Sequence, residues 1–244
     1  MPCETNGSQR AASASRRAFL GAIGAVAIAG CAHRTLGSPD PIVAVAPDWK
    51  AGEAWTYRRV DGYTRLDAGS PVTRRITAHA SGLRLVDATV SGGVINEAVF
   101  ADPNALLYGT LSELGPMRGR FDPALRYYDF PLHAGKRWRQ SGYRIDEAGF
   151  RDFMTLDAWV EGWEAFEAGG RPVRALAIRR ELMLGRLPPS FGTVVGHAYR
   201  SDTEWYAPEL GTFVRFVQRE RHQTARWTPA ASWFVWQLQA SERT

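Results

Sequence analysis

The side chains able to carry chemistry are few and far apart. Cys31 ends an apolar run as Ile28-Ala29-Gly30-Cys31, and the only other cysteine is Cys3, upstream of that run. A thiol behind two small residues sits on an uncrowded backbone, open to covalent modification. Ser190 lies in Pro-Pro-Ser-Phe-Gly with no histidine set near it in sequence, so it lacks the base that activates a serine nucleophile. His79, His133, His197 and His222 are widely separated. No two have i,i+2 or i,i+4 spacing, so a metal would need them to converge from distant segments. Asp202 and Glu204 share one face of a strand and have the composition of a paired-carboxylate site; the reading favoured is a solvated face. The chain holds no G-x-S-x-G elbow, no H-E-x-x-H and no P-loop. The expectation is no catalytic residue, no metal site and no cofactor.

The stretch that positions Cys31 is Ser15–Cys31. Arg16 and Arg17 precede an apolar run from Ala18 to Gly30, too short for the roughly 20 residues that span a bilayer. Its length is that of a signal-peptide core behind a positive segment. Ser15-Arg16-Arg17-Ala18-Phe19-Leu20 resembles the bacterial twin-arginine export signal, an address read by a receptor. Ile28-Ala29-Gly30-Cys31 resembles a bacterial lipobox. That resemblance implies cleavage before Cys31, diacylglycerol on its sulfur and, in many bacteria, a further acyl chain on the new amino group. Several buried chains anchor where one does not, at about 0.8 kcal/mol per CH₂. The twin-arginine resemblance also implies export of an already folded protein, which fits a processed chain with no cysteine pair. The expected location is the cell membrane or outer membrane, facing the periplasm, with the membrane itself as partner through Cys31.

After Cys31 some 210 residues remain (244 in all), enough for one sizeable core. The formal net charge is +5. The front segment holds Arg10, Arg16 and Arg17 against Glu4, so the rest is near +3, nearly all of it arginine. A nucleic-acid partner would need a concentrated basic patch, and none is expected. All nine tryptophans follow Cys31 and read as core and strand-face packing.

The division expected is a signal peptide over 1–30, a lipid-anchored tether over 31–50 and one β-rich domain over 51–244. The tether rests on Gly37, Ser38, Pro39, Pro41 and Pro47, which break regular structure. From Gly52 the period becomes two. Val72–His79 and Leu83–Val90 predict a hairpin around Ser81-Gly82. Glu113–Pro123, with Gly115, Pro116, Gly119 and Pro123, reads as a loop, and Gly185–Gly196 as another. Asp157–Ala168 has some helical spacing, but Gly162 favours strands. A dozen short strands and almost no helix predict an antiparallel sheet curled into a barrel, half-barrel or sandwich.

Two motifs in the later part carry a resemblance. Pro131-Leu132 with Gly135-Lys136 and Trp138, and Trp205-Tyr206 with Pro208, Leu210-Gly211 and Val214-Arg215, resemble a loose group of uncharacterised bacterial envelope proteins. Gly52-Glu53, Trp55 and Tyr57 fit it too. The resemblance implies a β-rich fold and no reaction. Two surfaces are candidates for binding. Arg215, Arg219 and Arg221 share a predicted face with Phe213 and Val217, suited to anionic lipid. In Ser232–Leu238, Trp233 and Val235 alternate with Phe234 and Trp236, so the strand is covered on both sides or meets a lipid or a protein. The function expected is a non-catalytic envelope lipoprotein that binds an envelope protein or has a structural role; the alternative is a carrier or acceptor of lipid or lipoprotein acyl chains in a curved-sheet cavity.

Overall fold

The computed structural model describes residues 43–110, 118–186, 196–224 and 230–242. Among them, twelve strands form a closed up-and-down barrel in which each strand pairs antiparallel with its chain neighbours and β1 closes on β12. The strands are β1 (Ala54–Asp61), β2 (Val72–His79), β3 (Gly82–Thr89), β4 (Val94–Asp102), β5 (Ala105–Thr110), β6 (Arg118–Arg126), β7 (Arg137–Ile145), β8 (Arg151–Ala168), β9 (Arg171–Arg186), β10 (Gly196–Ala207), β11 (Thr212–Thr224) and β12 (Ala230–Glu242). Of the three architectures expected for the curled sheet, the barrel is the one formed. Closure leaves no sheet edge to pair with a stranger.

The period-two pattern sets which side faces in. On β8, Met154, Leu156, Ala158 and Val160 are buried, alternating with half-buried Thr155, Asp157 and Trp159. On β9, Leu176, Ile178, Leu182 and Leu184 face the same core, while Arg179, Glu181 and Met183 are exposed. Asp157–Ala168 is therefore strand throughout. A bulge between Val160 and Gly162 absorbs the residue that disturbed its alternation. The β8–β9 hairpin turns at Gly169-Gly170, both at positive φ (60° and 74°), which glycine adopts without a steric penalty.

Two segments differ from the sequence expectation. Arg118–Pro123 belongs to β6 rather than to a loop. Gly119 lies so close to Ile145 O (2.7 Å from an added Cβ) that it serves sheet packing, not a turn. The packed body also begins before Ala51, within the stretch expected to be tether. Ala44 bridges Leu132 and is buried, and Trp49 is buried in the main core. Trp49 donates its indole N–H to Gly211 O at 2.8 Å and packs edge-on against Phe100 and Tyr128.

Trp49, Phe130 and Leu132 thus plug one end of the barrel, and the two motifs build that plug. Leu132 is fully buried there, and Gly135 turns at φ 81°. The Lys136 ammonium is bonded to Pro131 O (2.9 Å) and paired with Asp129 (3.0 Å). The Trp138 indole donates to Arg126 O at 2.9 Å. In the second motif, Pro208–Leu210 form one 3₁₀ turn, capped by Gly211 at φ 62°. Both motifs supply turns and packing at this end. Replacing Trp49 with Ala should lower unfolding stability by about 3 kcal/mol, read by urea denaturation, and Trp49→Phe should recover much of it. An Ala variant as stable as the parent would mean that residues 43–50 do not belong to the core.

Candidate functional site

The chemically richest region lies inside the barrel, on the inward faces of β9, β10 and β11. Arg180 interrupts an apolar row, between Ile178 and Leu182, and is 1% exposed. Direct cross-strand register places it opposite Asp202. Its Nε donates to Asp202 Oδ1 at 3.0 Å, and its Nη2 to Glu204. Arg200, two residues before Asp202 on the same face, donates from Nε to Asp202 Oδ2 at 3.1 Å and from Nη2 to the Tyr127 hydroxyl at 3.0 Å. The Tyr128 hydroxyl donates to Glu204 Oε1 at 2.7 Å. The Arg180 guanidinium stacks 4.0 Å from the Tyr127 ring centroid. On β11, Gln218 donates to Glu220.

Asp202 and Glu204 are therefore not a solvated face: they are 5% and 2% exposed. The sequence reading correctly placed them on one face and assigned that face to the wrong side of the sheet. The signal that identifies the right side is Arg180 itself, an arginine in an otherwise apolar inward row. Such a residue demands acids on the neighbouring strand.

A second cluster spans β2, β3 and β4. Arg74, Asp87 and Asn96 are direct cross-strand neighbours. Arg74 holds Asp87 in a fork, Nε to Oδ1 at 2.7 Å and Nη2 to Oδ2 at 2.8 Å, and Asn96 adds a third donor at 3.2 Å. The same guanidinium lies 4.7 Å from the Phe213 ring centroid. Tyr57 shares a hydrogen bond with Thr212 Oγ1 (2.7 Å) and donates to Phe213 O (3.2 Å). A third buried pair, Arg144 with Asp152, again joins directly opposed residues, on β7 and β8.

Between the first two clusters is a cavity of about 70 Å³ lined by Arg74, Asp87, Arg200, Glu204, Phe100, Phe213 and Trp236. That is room for about two waters at ~30 Å³ each. The electrostatics are those of a self-neutralising interior. Burial alone would lower the Arg180 affinity for its proton, but Asp202, Tyr127 and Glu204 more than offset it and hold it well above the ordinary value. Arg74 is raised in the same way, burial being outweighed by Asp87. Burial pushes the Tyr57, Tyr127 and Tyr128 phenols up, against Arg74 for Tyr57 and Arg180 for the other two.

The remaining sequence candidates do not join this region. Cys31, Arg16, Arg17 and Ser190 lie outside the described residues. His79 and His133 are exposed, on the β2–β3 hairpin and the β6–β7 connection. His197 and His222 are one residue out of register on β10 and β11, and their side chains also lie outside the described set. Among the described residues, no group of three His, Cys, Asp or Glu is placed to hold a metal ion.

On β11 the expected face is split. A bulge at Val214, opposite the Trp205–Tyr206 step, flips the alternation. Phe213 enters the main core with Phe216, whereas Arg215, Val217, Arg219 and Arg221 face outward. On β12, Trp236 joins the core with Phe234 packed against it. Trp233 on the other face lies between Arg219 (4.3 Å) and Arg65 (4.9 Å). Both faces are thus covered within the chain, as a strand apolar on both sides requires.

No family model matches the chain, and no curated protein matches it. Solved structures do resemble it. A protein of Parabacteroides distasonis, provisionally described as a lipoprotein, is 14% identical, with 83% of this chain and 100% of that one covered and a TM-score of 0.44. A provisionally described exported protein of Bacteroides fragilis with a YmcC-like fold is 12% identical, with the same coverage and a TM-score of 0.42. The hypothetical lipoprotein YmcC of Escherichia coli is 13% identical, with 82% and 92% covered and a TM-score of 0.35. At these values the likeness assigns neither a ligand nor a role to this chain.

Removing one member of the buried network should strand its partners. Arg180→Met is expected to cost about 3–5 kcal/mol, while Arg180→Met with Asp202→Leu and Glu204→Met should recover part of that loss; denaturant midpoints decide. A single variant no worse than the triple would mean that the charges are not mutually dependent. The buried phenols set an alkaline limit. In the unfolded chain they ionise near pH 10, while in the fold they stay protonated, so above pH 10 the unfolded state binds fewer protons. Stability is then full below pH 10 and falls as pH rises further. Melts from pH 7 to 11 should show this, with a shallower fall in Tyr57→Phe.

Proposed function

We propose that this chain is an exported lipoprotein of the cell envelope, moored by acyl chains on Cys31, whose barrel faces the periplasm and works by binding a partner rather than by catalysis. The observation that carries the reading is that, among the described residues, the polar interior is taken up by the chain's own ion pairs. The buried carboxylates are engaged by guanidinium, phenol or amide donors of the same chain, so the two-acid arrangement of Asp202 and Glu204 is committed to holding Arg180 and Arg200. What is held inward supports the barrel, which leaves the outer face and the rims for recognition.

The same observation weighs against a carrier of acyl chains. A chamber for such a ligand needs several hundred Å³ with a mainly apolar lining, whereas the cavity that the described residues enclose beside Arg74 and Arg200 is near 70 Å³ and is flanked by ion pairs. The outer face supports a barrel beside a membrane rather than through one. Arg137, Arg139, Arg179, Glu181, Arg219 and Arg221 are exposed on β7, β9 and β11. An outward arginine at the bilayer midplane would cost about 2–4 kcal/mol.

The anchor is tested by Cys31→Ser followed by membrane fractionation and labelling with a radioactive fatty acid. The label should vanish, and the protein should leave the membrane fraction. Retention with label intact would end the lipoprotein reading. Changing Arg16 and Arg17 together to Lys should abolish export, read by protease protection in spheroplasts; undiminished export would make the paired arginines incidental.

A further inference from the structure

The outward row on β11 is a strip of positive charge. Arg215 is half-buried, Arg219 and Arg221 are exposed, and none of the three has a carboxylate partner among the described residues. Other outer arginines are engaged: Arg58 with Asp67, Arg139 with Asp157, Arg151 with Asp122 and Arg179 with Glu161. The strip is interleaved with aromatic rings, since Arg215 lies 5.1 Å from the Trp205 ring centroid and Arg219 lies over Trp233. The Arg215 and Arg219 guanidiniums thus lie over half-buried indoles. An anion would meet a largely preorganised row of donors.

Beside the strip is a concavity of about 310 Å³. Register explains it. The short side chains of Ser201 and Thr203 on β10 form its floor, with Arg219 and Val217 opposite them on β11 and Glu181 and Arg179 opposite them on β9. The Arg179 guanidinium is held by Glu161, and Glu181 accepts from the Tyr199 hydroxyl.

The strip also has a defined place. It starts four residues after Gly211, whose carbonyl binds Trp49 at the end of the barrel where the chain from the amino terminus enters. From Cys31 to Val43, the first described residue, is twelve residues. At ~3.3–3.6 Å each, that reaches roughly 40 Å, enough to lay the side of the barrel on the surface that holds the anchor.

We propose that the outer face of β10–β12, with Arg215, Arg219 and Arg221 between Trp205 and Trp233, docks on anionic phospholipid headgroups. Guanidiniums supply the charge that a negative leaflet attracts, and indoles suit the headgroup level. The proposal rests on the reading that the chain works at a bilayer. It adds that the barrel lies on that bilayer by a fixed face.

The test uses the purified full chain with Cys31→Ser, so that no acyl chain contributes, sedimented with phosphatidylcholine vesicles or with 7:3 phosphatidylcholine–phosphatidylglycerol vesicles. Changing Arg215, Arg219 and Arg221 together to Glu should cut partitioning onto the phosphatidylglycerol vesicles at least tenfold. The matched reversal of Arg75, Arg137 and Arg139, exposed on other faces, should change it less than twofold. The leader is common to both variants and cancels. The effect should shrink between 50 and 500 mM NaCl. Far-UV circular dichroism confirms folding, and Arg→Gln at the same three positions supplies a milder version. Equal losses in the two triple variants, or none in either, would overturn the proposal. So would an unchanged vesicle affinity accompanied by lost binding to an acidic polysaccharide. None of these outcomes bears on acylation of Cys31, which the fractionation of the cellular protein decides separately.

Discussion

An ion taken out of water costs several kcal/mol, and this barrel takes in several. Arg180 sits at the centre of that cost. With Asp202 and Glu204 on its nitrogens and Tyr127 under its plane, it is neutralised from three sides. Each of those partners is held in turn, by Arg200, by Tyr128 or by both. One nitrogen, Arg180 Nη1, has no partner, so the network is close to full satisfaction without reaching it. Such a network specifies geometry more than it adds stability. A one-residue slip of β9 against β10 would carry Arg180 to the outside, leave Asp202 to Arg200 alone and take from Glu204 the guanidinium that holds it. The charges thereby lock the register of β9 against β10.

The tryptophans follow a related logic. Trp49, Trp55, Trp138 and Trp236 fill the core. Trp159, Trp205 and Trp233 face outward, each beneath an arginine. A guanidinium stacks on an indole face because it is planar and weakly hydrated, which an ammonium is not. The excess of arginine over lysine, which the composition alone leaves as a bias of usage, becomes a means of covering large apolar rings on a wall that water reaches. The same pairing leaves a cationic, aromatic surface on β11 and β12, where none of the described carboxylates forms an ion pair with Arg215, Arg219 or Arg221.

Residues 43–53, the β6–β7 connection and the β10–β11 turn converge on one rim and seal it with Trp49, Phe130 and Leu132. Glycines at positive φ are needed in both motifs there, because a chain that turns within three or four residues has few other conformations to use.

The sequence by itself determined the class of fold and most strand positions. Those properties are local: alternation of period two and turn residues between runs. The strand at Arg118–Pro123 escaped because Gly119 and Pro123, which read as loop residues, are there for close sheet contact. Which side of β10 was inside could not be read from Asp202 and Glu204, since alternation gives two faces without saying which is wet. That choice was made by Arg180, twenty-two residues away, whose burial only strand pairing reveals. A single bulge at Val214 likewise separated Phe213 from the arginines that sequence spacing had joined to it. Tertiary structure decided these points because a buried charge or an inserted residue acts on its neighbour across the sheet, and the chain does not record in its order who that neighbour will be.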